Sequence, residues 1–67
     1  DFATPAPLSE VLDFYFTRAK AAGFSTQHVR DGGDDVLGGI KGTSSFTVYA
    51  RQLPNGATSV DLVTSGG

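Results

Sequence analysis

The sequence predicts an α+β domain, one N-terminal helix packed on a four-stranded antiparallel meander sheet. Three observations lead there. Apolar residues recur at helical spacing from Leu8 to Ala22. After Gly23 the apolar period falls to two. Short runs rich in Gly, Asp, Asn, Pro and Ser then divide the rest of the chain into strand-length pieces.

Residues 1–6 read as an extended lead-in, because Pro5 and Pro7 hold the residues before them extended. The helix is predicted over residues 7–23. Pro7 suits its first turn, where a missing N–H loses nothing. Leu8, Val11, Leu12, Tyr15, Ala19 and Ala22 fall on one side, and Glu10, Asp13, Thr17 and Lys20 on the other. Acidic residues come early and Arg18 and Lys20 late, which complements the helix dipole. Gly23 is the predicted stop, with Phe24 folding back on the last turn.

The sheet is predicted over residues 24–64, as strands at about 24–31, 35–41, 45–52 and 57–64. Their separators are Asp31–Asp34, Gly42–Ser44 and Pro54–Gly56, all turn chemistry. Such short links force antiparallel neighbours. A three-residue loop at Pro54-Asn55-Gly56 pairs Ala50 with Val60, Val48 with Leu62 and Phe46 with Thr64. These residues then share one face, which a two-residue loop would scramble. The opposite face sets Thr47, Tyr49 and Arg51 against Val63, Asp61 and Ser59, with Arg51 diagonal to Asp61. Gly38-Gly39 suggests a bulge that brings Leu37 and Ile40 to one side, room for an aromatic ring from the helix, or close backbone approach to a ligand. The predicted core is Leu8, Val11, Leu12, Tyr15, Ala19, Phe24, Leu37, Phe46, Val48, Val60 and Leu62.

The 67 residues make a single small domain. A net charge of −2, with basic residues scattered at 18, 20, 30, 41 and 51, predicts no nucleic-acid partner. No apolar run reaches the ~20 residues of a membrane span, so direct insertion by this segment is not expected. The absence of Cys removes disulfides, thiolate metal sites and a Cys nucleophile. The chain opens at Asp1 and closes on Gly66-Gly67. We therefore expect a piece trimmed after a signal or linker.

Little in the sequence carries chemistry. The Ser and Thr residues match neither G-x-S-x-G nor S-x-x-K, and no nucleophile–base–orienter set assembles. No enzymatic activity and no cofactor are predicted. His28 reads as an exposed strand histidine, and the DGGDD run as a solvated hairpin tip. The alternative is a small-ligand or metal-binding module centred on His28 and the acidic turn 31–35, with Asp31, Asp34 and Asp35 as oxygen donors. Phe14 lies off the buried stripe beside Arg18. It either covers the sheet margin or Phe2, or it anchors a partner. Tyr49, Arg51, Asp61 and Val63 form a second candidate surface. The predicted partners are therefore a protein or a second copy of the chain.

The segments VLDFYFTRAKAAGF, GGDDVLGGIKG and NGATSVDLVTS resemble small bacterial cell-envelope and lipoprotein domains. Those domains share a helix with a central Tyr, closed by Ala-Ala-Gly-aromatic, and a late G-x-T-x-V-x-L strand. The matching positions are Tyr15, Ala21, Ala22, Gly23, Phe24, Gly56, Thr58, Val60 and Leu62. The resemblance implies a non-enzymatic interaction or accessory role in the periplasm or cell envelope. It assigns no catalytic residue.

Overall fold

A strand precedes the helix. In the computed structural model, which describes residues 1–66, Phe2–Thr4 forms β1 and pairs antiparallel with the last strand. The sheet therefore has five strands, not four. Part of the lead-in is sheet because Phe2, Ala3 and Thr4 align with Val60, Ser59 and Thr58 on an otherwise unpaired edge.

The helix α1 runs Leu8–Ala21, slightly shorter than predicted. Pro7 stands just outside it in extended conformation, and its carbonyl accepts from the Glu10 and Val11 amides at 3.1 Å. The stop at Gly23 is as read. Gly23 has φ +89°, its N–H reaches the Lys20 carbonyl, and the Phe24 N–H reaches the Ala19 carbonyl at 2.9 Å. That is the paired-bond ending that a left-handed glycine allows. Lys41 adds an ammonium donor to the Ala22 carbonyl at 2.6 Å, where the helix dipole favours a cation.

Four longer strands follow: β2 (Ser25–Asp31), β3 (Asp34–Lys41), β4 (Ser44–Gln52) and β5 (Thr58–Ser65). They form the predicted meander, and the spatial order is β1-β5-β4-β3-β2. The β4–β5 register is the one that the three-residue loop demands, with Ala50 opposite Val60 and Val48 opposite Leu62. The loop closes through the Leu53 amide on the Ala57 carbonyl and the Gly56 amide on the Leu53 carbonyl.

The bulge expected at Gly38-Gly39 is absent. Pairing runs unbroken from Leu37↔Val48 to Ile40↔Ser45, so Ile40 lies opposite Leu37's face and is 64% exposed. An aromatic ring does fill the space over Gly39, but it comes from β4 rather than from the helix. A Cβ on Gly39 would sit 2.7 Å from Cζ of Phe46. Close approach of a neighbouring ring, not a kink, explains this glycine.

The core lies between α1 and the sheet's inner face. Val11, Leu37, Val48 and Val60 are buried together, with Ala6, Tyr15 and Phe46 packed against them. Leu62 is a correction: it shares the inner face but is 46% exposed. The helix lies mainly over β2, β3 and β4, and Leu62 on β5 is left lining an open groove beside Tyr15, Arg18 and Ala19. The start of β5 is covered instead by the chain entering the helix. There the Thr58 hydroxyl, fully buried, donates to the Ala6 carbonyl at 2.8 Å.

Candidate functional site

Alternation along the strands sorts the candidate residues before any side chain is considered. Tyr49, Arg51, Asp61 and Val63 point away from the helix, as read. Phe14 and Arg18 belong to α1 on the other side of the sheet, so the six do not form one surface.

The outer face has no covering element among the described residues. Val29, Val36, Tyr49 and Asp61 line up across β2, β3, β4 and β5 as consecutive register partners. Gln27, Gly38, Thr47 and Val63 form the adjacent row. Gly38 carries no side chain, so a shallow depression opens between Val29, Val36 and Thr47. Tyr49 and Val63 are 42% and 55% exposed. Together they make an apolar band on a stiff sheet, with polar groups at its margins.

Arg51 closes one margin. It does not turn to Asp61 as its diagonal position suggested. It donates from Nε to Asp34 Oδ1 at 2.7 Å, and that hydrogen bond, then the carboxylate's charge, raises the guanidinium pKa above its usual value. The pair is exposed, so its effect on stability is small. Asp61 lies 3.8 Å from the Asp1 amino group.

On the helix side, Arg18 stacks over the Phe14 ring at 5.3 Å, and Phe14 meets Tyr15 edge-on at 5.2 Å. Phe14 and Phe2 both line a groove of about 270 Å³, together with Ala6, Val11 and Tyr15. Phe14 is thus partly covered by its own chain yet still 54% exposed.

The acidic turn does not gather around His28. Asp34 faces outward to Arg51, and Asp31 is exposed at the strand end. Only Asp35 joins His28, with Nε2 to Oδ1 at 3.0 Å. No group of three or more metal-ligating side chains occurs among the described residues. Asp35, read as one donor on a solvated turn, is instead buried against the first strand of that hairpin. Its side chain is 5% exposed, its Oδ2 has no hydrogen-bond partner, and Arg30 stands 4.0 Å from that oxygen. Pairing of Asp31 with Asp34 across a two-residue turn forces Arg30 opposite Asp35 and places His28 on its diagonal. That register was readable from the Gly32-Gly33 turn.

His28 also borders a groove of about 320 Å³ beside α1, lined by Leu12, Phe16 and Leu37 with Ser9 and Asp13. Among the described residues the His28 ring is hydrogen-bonded to Asp35 and not to Ser9. Comparison with protein-family models, with curated proteins and with solved structures found no match.

Proposed function

We propose that this chain is a non-enzymatic interaction domain that presents its outer sheet face to a partner protein. The observation that carries the reading is the band Val29, Val36, Tyr49 and Val63 on a face that no other element covers among the described residues. Aromatic and aliphatic side chains held on a sheet lose little freedom when a partner docks, and an exposed Tyr is a favourable anchor. The polar margin set by Arg51, Asp34 and Asp61 gives such a contact its orientation.

The setting we propose is the bacterial periplasm or cell envelope. Its support is the resemblance of the helix and late-strand segments to envelope and lipoprotein domains. Fractionation of cells that make the natural protein tests this, and recovery in the cytosol alone would overturn it.

A photo-reactive phenylalanine analogue tests the surface itself. Placed at Tyr49 or Val63 in the producing cells, it should form an adduct with one defined protein. The Val36→Asp substitution in the same chain should abolish that adduct. Labelling no stronger than from the exposed turn residue Asn55 would reject the outer face as the docking surface.

A further inference from the structure

The sheet's two edges differ. On one side β1 covers the start of β5. On the other, β2 is a seven-residue outermost strand with no neighbour beyond it among the described residues. It contains no Pro, Lys or bulge, and its two formally charged residues, Arg30 and Asp31, lie together at its C-terminal end.

Its free hydrogen-bonding groups form a symmetric set. In an antiparallel ladder, alternate residues turn both backbone groups toward the neighbouring strand. Asp31 and Asp34 are partners across a two-residue turn with both glycines at positive φ; such a turn is closed by a hydrogen-bonded pair, so Gln27 and Val29 also face β3. Thr26, His28 and Arg30 then direct their N–H and C=O groups outward. These three residues are symmetric about His28.

We propose that β2 pairs antiparallel with β2 of a second copy of this chain, with His28 at the twofold centre, joining two five-stranded sheets into one. In this register Thr26 meets Arg30 of the other copy, His28 meets His28, and every outward backbone group of the three finds a partner. A two-residue slide one way sets Arg30 opposite Phe24, whose N–H is already committed to the Ala19 carbonyl. A slide the other way sets Thr26 against the Gly32 turn and Arg30 against His28. Charge does not oppose the central register. Each copy's Asp35 lies against its own His28 at 3.0 Å and its own Arg30 at 4.0 Å, so the basic groups arrive with a carboxylate beside them. On the helix side the pairing makes the two Leu12–Phe16 walls face each other across the His28 pair, which gives the 45% exposed Phe16 a neighbour. The outer face remains open, so this proposal goes beyond the docking surface and does not depend on it.

The wild-type chain and two cysteine variants provide the test. Sedimentation should show a dimer that forms with rising concentration. Amide exchange at Thr26, His28 and Arg30 should slow with it, while exchange at other exposed amides should not. The proposed register makes Gln27 and Val29 of opposite copies a close pair, with Cα atoms about 4.5 Å apart and within disulfide reach. The chain has no Cys of its own. An equimolar mixture of Gln27→Cys and Val29→Cys should therefore cross-link several-fold faster than either variant alone. Equal rates in the mixture and the single variants would overturn the register. A strict monomer at millimolar concentration, with unchanged exchange at the three amides, would overturn the second copy as occupant and leave the edge to a segment of another protein. A failed Tyr49 adduct with a positive cysteine result rejects only the outer face, and the reverse rejects only the β2 pairing.

Discussion

Gly39→Ala is expected to destabilise the domain by about 1–3 kcal/mol, the range for forcing an added group into a packed interior. The added Cβ would lie 2.7 Å from Phe46 Cζ. Phe46 is not free to swing aside, because it meets Phe24 edge-on at 5.3 Å and packs against the core cluster. The neighbouring glycine supplies the control. A Cβ on Gly38 would come no closer than 3.9 Å to any atom beyond its chain neighbours, on the open face of the same strand. Gly38→Ala should therefore stay within about 0.5 kcal/mol of wild type. Urea unfolding of both variants separates the two cases, since a change in midpoint at constant slope reads stability directly. Equal losses would show that strand glycine as such, not the Phe46 ring, sets the requirement. Phe46→Leu in the Gly39→Ala background should recover part of the loss by making room.

The second large effect is expected at His28, and it arises from its partner. Asp35 is buried, and His28 supplies the hydrogen bond to one of its oxygens. His28→Ala leaves that carboxylate without a donor on either oxygen, with Arg30 still 4.0 Å away. Stranding a buried acceptor costs about 1–3 kcal/mol. Removing both partners should cost less than removing the imidazole alone, because no unsatisfied carboxylate then remains. Urea unfolding of His28→Ala, Asp35→Ala and the double variant at neutral pH checks this. A double variant less stable than His28→Ala would mean that Asp35 contributes through other contacts.

The parts of the fold that were legible in the sequence are those that local chemistry decides. Val11, Tyr15 and Ala19 recur at helical spacing, and Gly23 ends the run by a conformation that other residues enter at a cost. Pro54-Asn55-Gly56 sets the β4–β5 register, and the alternation of Val48, Ala50, Val60 and Leu62 admits only that register. The misses are non-local. Phe2, Ala3 and Thr4 carry too short a pattern to announce a strand, and they become one only because β5 offers an edge. Leu62 has the right parity for the core, but coverage depends on where a single helix lies across five strands. Gly38-Gly39 permits either a bulge or a close approach, and the choice belongs to the Phe46 ring on the next strand.

The candidate site divides in the same way. Tyr49, Asp61 and Val63 reached the outer face because parity alone puts them there. Arg51 went to Asp34 rather than Asp61 because a long side chain chooses among neighbours on both sides. Phe14 and Arg18 cannot join them, since the sheet stands between. Asp35 was within reach of sequence reasoning, because the pairing of Asp31 with Asp34 implies that of Arg30 with Asp35.

The pairing of β1 with β5 has a kinetic consequence. Every other strand pair is a hairpin, closed by a short turn. Phe2 and Val60 meet only after nearly the whole chain has been brought around. Closing so long a loop carries an entropy cost that hairpins avoid, so contacts of that kind form late. Refolding should assemble β2 to β5 first and engage β1 last, and the lead-in that covers Thr58 should settle with it. In pulse-labelled exchange, the β1–β5 amides should then gain protection after those of β3 and β4. Simultaneous protection would place the β1 contact in the folding nucleus, and β1 would then guide the assembly of the sheet instead of completing it.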